Sequence, residues 1–429
     1  MMEDCQLRLV PYLRSCLCLA VTLALASCAG QAPQISGTPS TTGLTPSASA
    51  PQNMGKTSGN MLLLVPLSGS LAPVGQVLVN AAKLAVPAGE TPALDIRDTG
   101  GTPSGAVAAA QAGLAAGDGV ILGPLTAAET KAVAPVAKQA GVNMLAFTND
   151  STVGAPGIWP LGITPAEQVQ RVVQYAAQTG RTQLAGLLPD SDYGRHLADA
   201  LQQEAATLSE PSPQIVYYEQ GFSSLNQAVR QVSSWDSRGA SLMAQIKAAK
   251  DSGTAVGLQK ARELSRQQVA PPPFNALFIG ATDGTSLAEL ANFLPYYGVT
   301  PPQVQLLGPS LWASLATAMA GQSTLVGALY AGPDPAAAAP FQAKYSAAYG
   351  AAPPAIADIG FDAAALAKLA SASGGYTVQA LTAPSGFTGT DGLLVLQPDG
   401  TVKRGLAVFA VTPGQPSVVS PAPTSLAQP

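Results

Sequence analysis

Residues 119–146 read GVILGPLTAAETKAVAPVAKQAGVNMLA. This stretch opens on a short apolar run, 119–122, and closes on a second one, 142–146. Between them, residues 127–140 have a helical composition and follow Thr126, a residue type that caps helices well. Two parallel strands of one sheet need a crossover of about a dozen residues, usually a helix. The stretch therefore predicts a strand–helix–strand unit of a parallel sheet.

The same alternation continues in both directions from this unit. Upstream, the apolar run 61–67 and the stretch 93–98 predict strands, and Thr102-Pro103 predicts the start of a helix. Downstream, a capping box with proline in its first turn, Thr164-Pro165-Ala166-Glu167, restarts the pattern. Further strands are predicted at 184–188, 214–218, 276–279 and 305–307. The sequence thus predicts a two-lobed α/β protein in which each lobe is a doubly wound, mostly parallel sheet flanked by helices.

The predicted folded domain spans 60–415. Lobe 1 is expected to cover about 60–160 plus a late segment, and lobe 2 about 165–330 plus a C-terminal hairpin. The hairpin is predicted within 393–411, where two apolar runs flank the turn pair Asp399-Gly400. Residues 416–429 are rich in proline and serine, and we expect them to be disordered.

The N-terminal residues have the parts of an export signal. Arg8 and Arg14 precede a short apolar run, 17–26, which ends in small residues. This order is typical of a secretory leader, predicted here over 1–27.

The end of this leader suggests an anchor. Residues 25–28 read LASC, which resembles the bacterial lipobox and implies lipidation of Cys28. An ordinary leader with an incidental cysteine is the alternative. Residues 28–59 are dominated by Ser, Thr, Pro and Gly, so we expect a disordered tether. We expect a periplasmic domain that meets the membrane only through its lipid. The outer membrane is favoured, since Ala29 rather than aspartate follows the cysteine, as in enterobacterial lipoproteins.

Composition argues against several classes of protein. The formal net charge is −4, without the concentrated basic face that nucleic-acid binding requires. His196 is the only histidine, and Cys28 is the only cysteine after the predicted leader. One cysteine can form neither an internal disulfide nor a thiolate zinc cluster, and a single histidine limits acid–base catalysis. We therefore predict no enzymatic activity, cofactor, metal or nucleic-acid partner.

Short motifs follow the predicted strands in a characteristic order. They are Pro66-Leu67-Ser68-Gly69 with Gly75, Gly123-Pro124-Leu125-Thr126, Gly141-Val142-Asn143-Met144, Asp192-Tyr193-Gly194 and Gly360-Phe361-Asp362-Ala363. With these motifs, over about 61–411, the chain resembles the leucine-binding-protein-like family. The resemblance implies the type I periplasmic binding fold, in which two lobes joined by three crossovers close on a ligand.

The resemblance also implies a ligand site. In members that bind amino acids, first-lobe hydroxyls hold the carboxylate, and a second-lobe tyrosine and acidic side chain hold the ammonium. Thr126 and Thr148 match the hydroxyls, and Tyr193 matches the tyrosine. The acidic position aligns near Ser286, and Asp283 is the nearest carboxylate.

Loops at the carboxyl ends of parallel strands extend this set, because ligands of such sheets bind there. The candidate cleft residues are then Ser68, Thr126, Phe147, Thr148, Tyr193 and Asp283. Loop hydroxyls and carboxylates are also common as helix caps and turn residues. That alternative stays open for the hydroxyls and for Asp283.

One branch of the family is named for activating penicillin-binding proteins, the peptidoglycan synthases. The segment after the predicted strand 276–279 resembles that branch, with Asp283, Leu287, Leu290 and Leu294 followed by Pro295-Tyr296-Tyr297-Gly298. The resemblance implies a non-catalytic activator whose partner is a penicillin-binding protein. The alternative is the substrate-binding lipoprotein of an ABC importer, with a permease as partner and a branched-chain amino acid or related amide as ligand.

Two features outside the candidate cleft each have two interpretations. Residues 239–268 hold the basic side chains Lys247, Lys250, Lys260, Arg262 and Arg266. This segment is either a solvated helix or a docking element for an acidic partner surface or cell-wall polymer. Tyr296 and Tyr297 either pack at a helix end or form a partner-facing patch.

Overall fold

The computed structural model describes residues 55–267 and 269–426, which form three sheets. The strands are β1 (Met61–Val65), β2 (Leu94–Asp98), β3 (Val120–Leu122), β4 (Asn143–Ala146), β5 (Ile158–Pro160), β6 (Leu184–Pro189), β7 (Gln214–Tyr218), β8 (Ala276–Ile279), β9 (Gln305–Gly308), β10 (Leu329–Gly332), β11 (Phe387–Gly389), β12 (Gly392–Leu396), β13 (Val402–Arg404), β14 (Ala407–Ala410) and β15 (Ser417–Ser420).

The helices lie between these strands. They are α1 (Ala72–Ala85), α2 (Pro103–Ala116), α3 (Ala127–Ala140), α4 (Pro165–Gln178), α5 (Asp192–Thr207), α6 (Phe222–Val232), α7 (Trp235–Asp251), α8 (Ala255–Leu264), α9 (Gly284–Phe293), α10 (Ala316–Ala320), α11 (Pro335–Tyr349), α12 (Ala357–Ala372) and α13 (Val378–Leu381).

The first sheet has five parallel strands in the order β2-β1-β3-β4-β5. Strand β1, which lies between β2 and β3, is apolar at every position without alternation. Met61, Leu63 and Val65 pack toward α1 and α12, whereas Leu62 and Leu64 pack toward α2 and α3. Because helices cover both faces, every position of the strand is buried and must be apolar.

The second sheet has the order β15-β14-β10-β9-β8-β6-β7. Strands β6 to β10 are parallel, and β14 and β15 join them antiparallel. Helices α4 and α5 cover one face, and α6 and α9 cover the other. The predicted class, two doubly wound lobes with mostly parallel sheets, is confirmed.

The third sheet is a small antiparallel one, β11-β12-β13, and it corrects the predicted place of the C-terminal hairpin. The hairpin around Asp399-Gly400 forms, but Leu394 and Leu396 pack in the core of lobe 1 rather than lobe 2. Only β14, which follows, enters the second sheet. A local turn signal specifies a hairpin but not the core on which its apolar side chains pack.

Three connections run between the lobes. The chain passes from lobe 1 to lobe 2 between β5 and α4, and it returns between β10 and α11, since α11 and α12 pack on α1. It enters lobe 2 again between β13 and β14. Two lobes joined three times match the topology that the resemblance implies.

Two segments expected to be disordered are instead packed. Residues 55–59, the end of the predicted tether, lie against Tyr376, whose hydroxyl donates to the Gly59 carbonyl (3.0 Å) and whose amide donates to the Lys56 carbonyl (2.8 Å). In the predicted tail, β15 pairs with β14, and the Arg171 guanidinium donates to Ser420 Oγ (2.6 Å). Long-range partners order both segments, and a compositional argument does not detect them.

The predicted leader over 1–27, the lipidation site Cys28 and most of the predicted tether lie outside the described residues. Within 55–267 and 269–426, no helix combines the length and the apolar character needed to cross a bilayer.

Candidate functional site

The first-lobe candidates follow adjacent parallel strands. Ser68 comes after β1, Thr126 after β3, and Phe147 and Thr148 after β4. The loops after β3 and β4 touch, because the Phe147 amide donates to the Pro124 carbonyl (2.9 Å). The structure therefore brings these four residues to one edge of one sheet, as predicted from the strand order.

Thr126 is fully occupied as a helix cap. Its hydroxyl accepts from the Glu129 amide (3.2 Å) and donates to Glu129 Oε2 (2.8 Å), and the Thr126 amide donates to the same carboxylate (3.0 Å). This reciprocal capping box begins α3. A hydroxyl has one proton, so the Thr126 hydroxyl has none left for a ligand carboxylate in this arrangement. Glu129 is fully buried, and its Oε1 has no partner among the described residues.

Thr148 and Phe147 are mainly structural in this conformation. The Thr148 hydroxyl accepts from the Asp150 amide (3.1 Å), which shapes the turn after β4, and only 7% of the residue is exposed. Phe147 is 3% exposed and belongs to the apolar core of lobe 1.

Ser68 belongs to a loop organised by Asp98, a residue that the sequence reasoning did not select. Asp98 Oδ1 accepts from the amides of Leu67 (2.7 Å), Ser68 (3.3 Å) and Gly100 (2.7 Å). A hydrogen bond from the Ser68 side chain is the largest effect that lowers the pKa of Asp98, followed by the Gly100 amide. Asp98 is the last residue of β2, so the loop rule that selected Ser68 also covers it.

Tyr193 is the candidate in the second lobe with an unused polar atom. It lies in the first turn of α5, and Ser191 caps that helix by accepting from the Gly194 amide (3.2 Å). The Tyr193 hydroxyl is buried and makes no hydrogen bond among the described residues. Burial raises the pKa of Tyr193 to about 12, and an interaction with the Gln168 side chain, whose geometry is too poor for a hydrogen bond, opposes the rise.

Gln168 lies beside Tyr193, Ser310 lies beside Gln168, and the sequence reasoning missed both. Gln168, on α4, is 3% exposed, and its Oε1 accepts from the Ser310 amide (2.8 Å). The Ser310 hydroxyl donates to the Ala331 carbonyl (2.6 Å). Ser310 follows β9, so the expectation that ligands bind at the carboxyl ends of strands could have identified it. Gln168 lies within a helix, where that expectation does not apply.

Asp283 is the cap of α9. Its Oδ1 accepts from the Ser286 amide (2.8 Å), and Ser286 is itself buried. Asp283 follows β8, which is adjacent to β6, so Asp283 and Tyr193 lie at the same edge of the second sheet. None of the described hydrogen bonds links this second-lobe pair to the first-lobe candidates.

Two cavities are present elsewhere in the molecule. One of about 510 Å³ lies between α3 and the segment before β5, and one of about 430 Å³ lies beside α7 and the turn after α9. None of the six candidate cleft residues lines either cavity.

A buried cation joins the lobes at their connections. Arg404 is the last residue of β13, and its Nη1 donates to Asp391 Oδ2 (3.1 Å). Its Nη2 donates to the Leu161 carbonyl, in the first connection between lobes. Its Nε lies 3.8 Å from Glu167 Oε1, at the start of α4. One guanidinium thus contacts both lobes.

Several carboxyl groups lie near Arg404, among them Asp358 and Asp362. Burial raises the pKa of Asp358 to about 8, and the neighbouring charges of Asp391 and Asp362 add to this rise. Burial also raises the pKa of Asp362 to about 6, although the Thr390 amide (2.9 Å) stabilises its charged form. The protonation of these carboxyl groups, at the junction of the lobes, therefore changes at a higher pH than that of ordinary aspartates.

Within 55–267 and 269–426, no group of three or more His, Cys, Asp or Glu side chains is arranged to hold a metal ion. His196 lies on α5, half-buried.

Comparison with known proteins identifies the fold. The family model described as periplasmic binding protein matches residues 61–414. No curated protein matches the sequence.

Several solved structures resemble this one at low sequence identity. A putative branched-chain amino acid ABC transporter protein from Rhodospirillum rubrum has a TM-score of 0.64 at 17% identity, with 84% of this chain and 100% of that chain covered. Full-length LpoA from Haemophilus influenzae has a TM-score of 0.62 at 16% identity, with 86% and 60% covered. The C-domain of the same LpoA, described as a regulator of PBP1A, has a TM-score of 0.59 at 17% identity, with 84% and 99% covered. At such identities the likeness concerns the fold.

Proposed function

This chain belongs to the periplasmic binding protein family, and we propose that it is a lipid-anchored, non-catalytic activator of a penicillin-binding protein. On this proposal Cys28 carries the lipid, the outer membrane holds it, and the folded domain contacts a peptidoglycan synthase in the periplasm. The family is one of binding proteins, which agrees with a role without chemistry. The likeness in fold to LpoA, a regulator of PBP1A, supports this choice within the family.

The observation that carries the proposal is the state of Thr126. An amino-acid receptor needs free hydroxyl protons for the ligand carboxylate, and the Thr126 proton is donated to Glu129 Oε2. The position expected to hold the ammonium aligns near Ser286, which carries no charge, and Oδ1 of the nearest carboxylate, Asp283, already accepts from the Ser286 amide. A buried charge without a partner is strongly unfavourable, so an amino acid would be poorly held.

The alternative is a substrate-binding lipoprotein of an ABC importer, and one observation favours it. The Tyr193 hydroxyl is buried at the expected edge of the second sheet and lacks a hydrogen-bond partner among the described residues. Buried polar groups are nearly always paired, so a ligand is one candidate partner.

A thermal-shift screen of the purified chain separates the two functions. The chain is heated alone, with each amino acid, and with soluble peptidoglycan fragments. A ligand present at about 100 times its dissociation constant adds about 2.7 kcal/mol to the free energy of unfolding, which is readily measured. The proposal expects no shift with any amino acid.

A binding experiment with the purified peptidoglycan synthases of the same bacterium completes the test. The proposal expects at least one of them to bind the chain, in detergent, at micromolar or tighter affinity. A clear thermal shift with leucine, isoleucine or valine together with no synthase binding would establish the importer alternative instead.

A further inference from the structure

Helices α7 and α8 form a hairpin that has little contact with the rest of the domain. Between Trp235 and Leu264, the buried residues are Gly239, Ala261 and Leu264. All other residues of this segment are half-buried or exposed, although α7 and α8 pack on each other. Such a projecting element adds little to the core, so its sequence is free to serve a surface role.

The hairpin is basic on an acidic protein. From Trp235 to Arg266 it carries six basic and three acidic side chains, in a chain of net charge −4. Arg238 is used internally, since it donates to the carbonyls of Ser233 (2.6 Å) and Tyr297 (2.6 Å). Lys247 pairs with Asp251 (2.6 Å).

Four cations of the hairpin remain uncompensated. The described ion pairs and hydrogen bonds leave these exposed side chains without a partner: Lys250, Lys260, Arg262 and Arg266. Like charges on one small element repel each other, and an opposing anionic surface relieves that repulsion. The unpaired cations of the hairpin therefore favour a partner with an acidic surface.

Exposed apolar side chains lie among these cations. Val256 is 78% exposed, Met243 51% and Leu258 47%. Met243, Lys247 and Lys250 have the spacing of one helix face, and Leu258 is one turn from Arg262. An anionic polymer would neutralise the charges but leave the apolar groups in water. A protein surface can satisfy both, so the pattern favours a protein over a polymer.

A groove lies at the root of the hairpin. It has a volume of about 430 Å³, and Trp235, Pro271 and Tyr296 contribute to its walls. Trp235 is held in place, since the Tyr297 ring meets it edge-on (5.6 Å between centroids) and the Arg238 guanidinium lies 5.4 Å from its centroid. Tyr296 is 75% exposed. Tyrosine and tryptophan are the side chains most enriched at binding hot spots.

We infer that the α7–α8 hairpin and its root groove form the docking surface for an acidic patch on a partner protein. The inference rests on the proposed function, under which the partner is the peptidoglycan synthase. Basic side chains of the hairpin attract the acidic patch, and the exposed Tyr296 contacts the partner at the wall of the groove.

Charge reversal at matched positions tests this inference. Lys250→Glu/Arg262→Glu reverses one charge in the last turn of each hairpin helix. Lys83→Glu/Lys138→Glu reverses one charge in the last turn of α1 and of α3, at exposed sites in lobe 1. Both variants change the net charge equally and disturb a helix end in the same way. Melting curves that match between them show that both are folded.

Binding of the full chain to the purified synthases is then measured as a function of sodium chloride concentration. We expect the hairpin variant to bind roughly tenfold more weakly and to lose most of its salt dependence, with the lobe 1 variant close to wild type. Tyr296→Ala should also weaken binding about tenfold, without changing the salt dependence.

The possible results distinguish a failure of the docking surface inferred here from a failure of the proposed function. If wild type binds a synthase and the two charge-reversed variants bind alike, the hairpin is not the docking surface, while the proposed function stands. If wild type binds no synthase, the proposed function fails, and this inference fails with it.

Discussion

Two of the sequence motifs place a glycine in the first turn of a helix, and the structure gives a steric reason for each. A Cβ atom on Gly75 would lie 1.8 Å from the Pro66 carbonyl oxygen, and one on Gly194 would lie 1.9 Å from the Pro189 carbonyl oxygen. In both places the helix starts against the end of the preceding strand. Two of the motifs behind the family resemblance therefore contain a glycine with a steric reason.

Gly194→Ala should lower the free energy of unfolding by about 1 to 3 kcal/mol, because backbone must move to admit the methyl group. Gly321→Ala is the control, since a Cβ there meets nothing within 4 Å and φ is −85°. Urea unfolding of the two variants measures the difference. Equal stability of the two would contradict the steric explanation.

Two tyrosines of lobe 2 differ in whether their hydroxyls are used. The Tyr297 hydroxyl donates to Asn226 Oδ1 (2.6 Å), and the ring packs against the lobe 2 core. The Tyr193 hydroxyl is buried without a partner. Of the adjacent Tyr296 and Tyr297, the second thus packs in the fold, and the first is exposed.

Tyr297→Phe should lower the free energy of unfolding by about 1 kcal/mol, since Asn226 loses its donor. Tyr193→Phe should leave stability unchanged or slightly higher, because no hydrogen bond is lost. Thermal or urea unfolding of both variants gives the comparison. A marked loss of stability in Tyr193→Phe would mean that its hydroxyl has a partner in solution.

At the scale of elements, two capping boxes begin helices after strand ends. Thr126 with Glu129 begins α3, and Thr164 with Glu167 begins α4. The sequence alone identified the second as a cap and left the first open between a cap and a ligand residue. The patterns are the same, a threonine followed three residues later by glutamate, and the structure has a capping box at both.

Thr126→Val should lower the free energy of unfolding by about 0.5 to 2 kcal/mol, because the cap hydroxyl is lost. Thr126→Ser keeps the hydroxyl and should remain close to wild type. Differential scanning calorimetry of the pair measures the effect. A valine variant as stable as the serine variant, with loss of an amino-acid ligand, would make Thr126 a ligand residue after all.

At the scale of the whole molecule, Arg404 and its carboxylates connect the lobes electrostatically. Arg404 contacts the Leu161 carbonyl and Glu167, at the first connection between the lobes, and Asp391, from a distant part of the chain. Removing one member of a buried charge group leaves the others unpaired, which is strongly unfavourable. The protonation of this cluster should therefore affect the stability of the fold.

Asp358→Asn tests that dependence. The folded state raises the pKa of Asp358 from 3.8 to about 8, so the folded protein binds this proton more tightly than the unfolded chain. Asp358 therefore reduces stability progressively as the pH rises from about 4 to about 8. The asparagine variant should match wild type near the acid end and exceed it increasingly toward the basic end. Urea unfolding across this range measures the difference, and parallel curves would contradict the assignment.

Much of the architecture follows from local patterns. The helix predicted over 127–140 and the strands predicted over 214–218 and 276–279 have the bounds seen in the structure. Apolar runs, caps and turn pairs act over a few residues, so the sequence reveals them directly. Their alternation determined the doubly wound class and the edges of the sheets at which candidate residues gather.

Only the tertiary structure decided which partner each polar group has. Arg404 and Leu161 are 243 residues apart, and the contacts of Gly59 with Tyr376 and of Ser420 with Arg171 are also long-range. The use of the Thr126 proton, the unpaired Tyr193 hydroxyl and the exposed α7–α8 hairpin also depend on the folded arrangement. By itself the sequence determined elements and their order, because these arise from neighbouring residues. Burial and charge pairing arise from residues that are distant in the chain, and they become visible only when the chain is folded.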